Sequence, residues 1–224
     1  MGKTTIAEAS NIMGKYFIGP DDLDMFSKEL NIASPIITQI QIPEIPFSKN
    51  LLKNIANTHL LILGIPLNAN QEPLTLVSMR FFFSVDPSIK EPCFYNQDWY
   101  FNEKFANTCN LEFKWYLLSR NILNKTRGLI PENQSEIELT KFPSALLLAF
   151  TFFANYFKNK EYLWEKEFIW CSDKDNNGDR IYVARYIDPS GLSKNGFSIH
   201  RHLSVKQHYG CIEMEIDNIS SHNR

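Results

Sequence analysis

Apolar and polar residues follow two different periods along this chain, and each period predicts a different kind of element. In the first part, Leu23, Phe26 and Leu30 recur at the spacing of one helix face. A second short helix is predicted in "SKNLLKNIAN", where Ser48 is a typical N-cap. The continuous apolar run "THLLILGIPL" then ends in glycine and proline residues, which is typical of a buried strand.

The last third of the chain has the clearest strand patterns. Residues 144–158 are strongly apolar but too short for a membrane span of about 20 residues, so they predict a buried helix. In the final run, Ile212, Met214 and Ile216 alternate with acidic residues, as in a half-buried antiparallel strand. Four runs rich in β-branched and aromatic residues follow the helix: "EFIWCSD", "RIYVARYID", "GFSIHRHLS" and "HYGCIEMEID". We therefore predict an α+β fold, with a mixed helical and strand N-terminal part and a C-terminal antiparallel β-meander packed on an apolar helix.

Length and composition favour one domain. The chain has 224 residues, 44% of them hydrophobic and 21% charged, which suits a folded globular protein. We predict a single α+β domain over 1–224, and the polar stretch 121–141, predicted as a surface loop, is the one candidate for a subdivision. The run "LTLVSMRFFFSV" fits a helix or a strand, because periodicity cannot decide over so short a segment.

Charge and cysteine usage constrain the partners. Lys and Arg total 23 against 25 Asp and Glu, so the net charge of −2 gives no support to a nucleic-acid partner. The amino terminus has no apolar signal-peptide core, and no C-x-x-C pair occurs among the four cysteines. We expect reduced thiols and a soluble, cytoplasmic protein with no membrane partner.

The stretch "CSDKDNNGDR" raises the question of a calcium loop. Oxygen-bearing residues alternate before Gly178, as in an EF-hand, but the position of the bidentate glutamate is taken by Ala184. The flanks also read as strands, so we favour a hairpin turn with Asn-Gly at its tip. The alternative is a divalent-cation site on the same loop. Its ligands would be Asp173, Asp175, Asn177 and Asp179.

Histidines near the carboxyl end suggest a second candidate metal site. If the last two predicted strands pair with their apolar sides together, His200 lies opposite Cys211 and His202 opposite Tyr209. His208 then lies on the other face. The remaining set, His200, His202 and Cys211, is a candidate metal site with soft ligands that lacks a fourth ligand, and surface histidines without a metal are the alternative.

Aromatic side chains form a third candidate. The cluster around "CFYNQDWYFNEKF" could stack on bases or line a peptide groove, although packing in the core is the alternative. The residues that we predict as a binding surface are Trp99, Tyr100, Trp115 and Tyr116.

Three stretches carry a resemblance. "NQDWYFNEKFAN", "EFKWYLLSR" and "EFIWCSDKDNNGDRIYVARYIDPSGL" resemble a set of functionally uncharacterised bacterial proteins from candidate-phylum genomes and mobile elements. The similarity covers about residues 95–195, with an acidic D-x-D-x-N-G turn between strands, and the chain departs from that pattern beyond Leu192. The resemblance implies an association with mobile elements but no activity.

These observations lead to two functional hypotheses. Because no catalytic motif is complete, we expect a non-catalytic binding or interaction protein with an unknown protein partner and no cofactor. The alternative is a metal-dependent hydrolase acting on nucleic acid, with a divalent cation at one of the two candidate metal sites. Whether the protein is an enzyme stays open at this point.

Overall fold

The computed structural model describes residues 3–35, 41–131, 142–188, 195–202 and 206–215. Within these ranges the chain forms seven α-helices and two four-stranded sheets. The helices are α1 (Ile6–Met13), α2 (Pro20–Met25), α3 (Ser27–Leu30), α4 (Lys49–Ile55), α5 (Leu76–Phe83), α6 (Lys104–Asn107) and α7 (Ala145–Asn159). The strands are β1 (Phe17–Ile18), β2 (His59–Leu63), β3 (Trp115–Ser119), β4 (Phe168–Lys174), β5 (Arg180–Tyr186), β6 (Gly196–His200), β7 (Tyr209–Gly210) and β8 (Met214–Glu215).

Helix boundaries follow the capping residues. The hydroxyl of Ser48 accepts a hydrogen bond from the Leu51 amide, which confirms the predicted start of α4. The helix indicated by Leu23, Phe26 and Leu30 is divided into α2 and α3. Thr75 caps α5 in the same way as Ser48 caps α4, so the ambiguous run "LTLVSMRFFFSV" is helical.

The first sheet has the strand order β1-β2-β3-β8. Its central strands, β2 and β3, are antiparallel, with His59 opposite Ser119 and Leu63 opposite Trp115. β2 confirms the buried strand predicted in "THLLILGIPL", and every residue in both strands is buried. β1 adds in parallel to β2, and the short β8 adds antiparallel to β3.

The C-terminal sheet has the order β6-β5-β4-β7, and β4, β5 and β6 form the predicted antiparallel meander. The final predicted strand is divided instead of continuous. β7 pairs in parallel with β4, whereas β8 belongs to the first sheet. Ile216 and Asp217, the end of that predicted run, lie outside the described residues.

Hydrogen bonds from the segment before residue 132 fix the position of β7. The Cys211 amide donates to the Thr126 hydroxyl, and the Gly128 amide donates to the Tyr209 carbonyl. Gly210 allows this close approach, because a Cβ there would lie 2.4 Å from Ile122 Cγ2. The first half of the predicted loop 121–141 is therefore held against β7, and residues 132–141 lie outside the described part.

Helix α7 lies between the two sheets and confirms the predicted apolar helix. It begins after the N-cap Ser144, and residues 145–155 are all buried. Its Phe152 contacts Phe197 of β6 with ring centroids 5.2 Å apart, and the ring of Phe153 stacks on Phe83 of α5 at 3.9 Å. No helix in the described ranges combines the length and the apolarity that crossing a bilayer requires.

Candidate functional site

The predicted turn joins β4 to β5 as a hairpin. The Gly178 amide donates to the Asp175 carbonyl at 3.0 Å, and the Asp175 amide donates to the Asp179 carbonyl at 2.9 Å. Gly178 has a positive φ of +90°, whereas the backbone of Asn177 is not in the left-handed region. The hairpin therefore has a three-residue loop with one positive-φ glycine instead of a two-residue Asn-Gly turn. Ala184, the position of the missing EF-hand glutamate, is buried in β5.

The carboxylate of Asp175 is buried and bonded through both oxygens. Oδ1 accepts the amides of Asn177 and Asp179 at 2.9 Å each, and Oδ2 accepts Arg201 Nη1 at 2.7 Å. Burial alone would raise the pKa of Asp175, but the Arg201 guanidinium and the two amides outweigh it, so the pKa lies below its usual value. Arg201 also lies 3.5 Å from Glu103.

His202 joins this cluster from the end of β6. It has φ +61°, and its Nε2 lies 2.6 Å from Oδ2 of Asp179, with both side chains about half exposed. Side-chain ligand atoms of Asp175, Asp179 and His202 all lie within 4.8 Å of one another. The fold thus combines one residue of the predicted histidine site with two residues of the predicted acidic site. We call residues 173–179 together with Arg201 and His202 the turn region.

Asp173 faces the start of α7 instead of the other carboxylates. Trp170 pairs with Tyr182, and Lys174 pairs with Arg180. Four residue steps in β4 thus correspond to two in β5, so β4 contains a bulge. At this bulge the Asp173 carboxylate accepts the Ala145 amide at 2.6 Å and the Asn110 side-chain amide at 3.1 Å. Burial raises the pKa of Asp173 against these hydrogen bonds.

The predicted set of His200, His202 and Cys211 is not brought together. β6 pairs with β5, so β6 and β7 lie at opposite edges of the sheet, three strand spacings or roughly 14 Å apart. The predicted pairing of His200 with Cys211 is therefore wrong, because Tyr182 of β5 lies opposite His200.

His200 and Cys211 instead face a layer of rings on the side of the sheet that is remote from α7. The His200 ring stacks on Tyr182 at 5.6 Å, and burial lowers the pKa of His200 to about 4. Cys211 is completely buried. We call this set the aromatic layer; its members are Phe142, Phe168, Trp170, Tyr182 and Tyr209.

Three of the four predicted surface aromatics, Tyr100, Trp115 and Tyr116, are buried in the core, so they cannot form a stacking surface. Trp99 is half-buried and lies against the edge strand β6. Its indole N–H donates to the Ile199 carbonyl at 3.1 Å, and Arg201 lies over its ring at 4.4 Å. Trp99 thus occupies part of an edge that could otherwise pair with another strand.

An aromatic pair lies on the surface, and the sequence analysis missed one of its members, Phe81. Phe81 in α5 is 69% exposed, and its ring stacks on Phe101 with centroids 5.6 Å apart. Helical spacing could have identified it, because Leu76, Met79 and Phe83 form the buried face of α5. We call this pair the Phe81–Phe101 surface.

A cleft of about 430 Å³ opens beside the turn region. Lys104 of α6 and Lys174 of β4 both line it and are exposed, and neither ammonium group has a hydrogen-bond or ion-pair partner among the described residues. The polar lining also includes Thr108, Asn110, Asp173 and Asn176.

Comparisons of the chain with protein-family models, with curated proteins and with solved structures found no match.

Proposed function

We propose that this protein is a non-catalytic binding protein that recognises another protein through the Phe81–Phe101 surface. The exposure of Phe81 carries the proposal. Single exposed apolar residues are common on folded proteins. Phe81 differs because its ring is 69% exposed and stacked on a second aromatic ring. Aromatic anchors of this kind supply much of the binding energy at protein interfaces.

The surface is already arranged before any partner binds. The Arg80 guanidinium lies 4.5 Å from the centre of the Phe101 ring, and its Nη2 donates to Asn96 Oδ1 at 3.3 Å. Because Arg80 holds the Phe101 ring in place, this ring loses little conformational freedom on binding, which lowers the free-energy cost of association.

The environment of three cysteines argues against catalysis by a thiol nucleophile. Burial raises the pKa of the Cys93 thiol to about 12, and it raises the pKa values of Cys109 and Cys171 as well. A thiol with a raised pKa is a poor nucleophile, because the thiolate is the reactive form. These three cysteines therefore suit structural roles.

A metal-dependent hydrolase acting on nucleic acid is the second candidate. The proximity of Asp175, Asp179 and His202 favours it. Against it, both oxygens of Asp175 already accept hydrogen bonds, Oδ1 from two backbone amides and Oδ2 from Arg201, and a guanidinium 2.7 Å from Oδ2 would repel a cation. We therefore propose a structural role for the cluster.

The cytoplasmic location and the association with mobile elements remain predictions. The first depends on the cysteine pattern and the second on the resemblance over residues 95–195.

Site-specific photo-crosslinking tests the proposed function. A benzophenone amino acid replaces Phe81 in one form of the full chain and Met25 in a control form, because Met25 of α2 is 68% exposed. Both forms are irradiated in extract of the native host. We expect one protein to be captured from position 81 and not from position 25, and excess wild-type chain to compete more strongly than Phe81→Ala.

Two results would contradict the proposal. One is the same crosslinking pattern from positions 81 and 25, which indicates random collisions. The other is capture of a second copy of this chain alone, which indicates self-association instead of recognition of a different protein.

A further inference from the structure

The cleft beside the turn region has the volume of a small-molecule site. At about 430 Å³ it lies within the usual range of roughly 300–1,000 Å³. One wall is the end of β4 and the turn that follows it, and the other includes α6 and Asn110. The bulge in β4 directs Asp173 to the start of α7, which leaves the Lys174 side chain at the opening.

The carboxylates of the cleft are compensated by other groups. Asp173 accepts the Ala145 amide at the N-terminal end of α7, where the helix dipole is positive, and it also accepts the Asn110 amide. Asp175 is paired with Arg201, which does not line the cleft. Both carboxylates therefore have hydrogen-bond partners other than the two lysines.

Among the described residues, the two lysines have no such partners. Lys104 and Lys174 are exposed at the same cleft, and no described residue bonds to either ammonium group. Thr108 and Asn176 line the space between α6 and the turn. Two hydrogen bonds stabilise this wall: the Thr108 hydroxyl donates to the Lys104 carbonyl, and the Lys104 amide donates to Asn176 Oδ1. The cleft thus presents two positive charges on a hydrogen-bonded frame.

We propose that this cleft binds the phosphate group of a small phosphorylated molecule between the ammonium groups of Lys104 and Lys174. A phosphate monoester carries about −1.5 to −2 charges at pH 7, which matches two lysines, whereas a carboxylate carries one. Lysine binds phosphate as a compact point charge and needs no planar partner. The cleft shares no residue with the Phe81–Phe101 surface, and the proposal does not depend on the proposed protein partner.

Amide NMR spectra of the isotope-labelled full chain test the proposal with inorganic phosphate as the probe. At constant ionic strength, we expect saturable shifts of the amides in 104–108 and 173–176. The Lys104→Ala, Lys174→Ala double variant should weaken phosphate binding about tenfold or more, because two charge-assisted contacts are lost. Lys53→Ala removes an exposed lysine of α4 and should leave binding unchanged.

Acetate at the same ionic strength serves as the carboxylate control, and it should cause much smaller amide shifts than phosphate. Equal shifts with acetate and phosphate would overturn the assignment to phosphate and indicate general screening of the lysines. Unchanged phosphate binding in the double variant would overturn the site itself. A Lys104→Glu variant, which reverses one charge, should abolish the shifts while the spectrum stays that of a folded chain.

Discussion

The turn region and the aromatic layer belong to the same C-terminal sheet, and each contains residues that were predicted as metal ligands. In the turn region, Asp175, Asp179 and His202 approach one another at an edge open to solvent. In the aromatic layer, His200 and Cys211 are placed among rings, and burial lowers the pKa of His200 to about 4. Residues of similar chemistry thus have different environments a short distance apart.

Strand order causes this difference. Alternation along a strand indicates which residues share a face, but it does not indicate which strands are neighbours. Because β5 lies beside β6, the ring of Tyr182 occupies the place beside His200 that Cys211 was expected to take. The comparison teaches that residues with metal-ligand side chains in one sheet can lie in two unrelated environments. The order of the strands decides which of these residues meet.

The largest expected effect is the loss of a ring from the aromatic layer. Tyr182 is almost completely buried and contacts Trp170 at 4.8 Å and Tyr209 at 5.1 Å. Tyr182→Ala should lower the free energy of unfolding by about 3–5 kcal/mol, because it leaves a cavity among rings that cannot close it. Urea denaturation followed by far-UV circular dichroism measures this loss.

Phe81→Ala is the matched control, since it removes an exposed ring and should change stability by less than about 0.5 kcal/mol. Equal effects of the two substitutions would show that the aromatic layer is not a packed core.

A smaller effect is expected in the turn region. Asp175→Asn keeps an oxygen for the two amides but removes the charge that pairs with Arg201, which should cost about 1–3 kcal/mol. Asp179→Asn is the control and should cost less than about 1 kcal/mol, because its pair with His202 is half exposed.

The effect of Asp175→Asn should depend on pH. The folded pKa of Asp175 is lowered, so its charge stabilises the fold above the unfolded value of about 3.9 and loses this effect as pH falls through the folded pKa. The stability difference between wild type and variant should therefore be constant near neutral pH and shrink below about pH 4. A difference that grows on acidification would contradict this role of Asp175.

Much of the fold could be predicted from local patterns. Ser48 identified the start of α4, and the apolar run at 144–158 identified α7, because caps and continuous burial are encoded by neighbouring residues. The division of the last run into β7 and β8 could not be predicted. It depends on long-range contacts such as the hydrogen bond between Cys211 and Thr126, which are 85 residues apart.

The candidate sites were predicted in part. The preference for a hairpin turn at Asn177-Gly178 agrees with the structure, because the positive φ of Gly178 is a local requirement. The approach of His202 to Asp179 and the presence of Lys104 and Lys174 in one cleft depend on tertiary packing that no local pattern encodes. Phe81 could have been found, because its position on α5 follows from the helical period once Thr75 is recognised as a cap.

The central claim is that Asp175, Asp179 and His202 form a structural cluster in a non-catalytic binding protein. Isothermal titration of Zn²⁺, Mn²⁺ and Ca²⁺ into chelator-treated full chain tests it most directly. Because Arg201 already neutralises Asp175, we predict no saturable heat beyond that of an Asp179→Ala, His202→Ala double variant. Stoichiometric binding of any of these ions to the wild type, abolished in the double variant, would contradict the claim and favour the metal-dependent hydrolase.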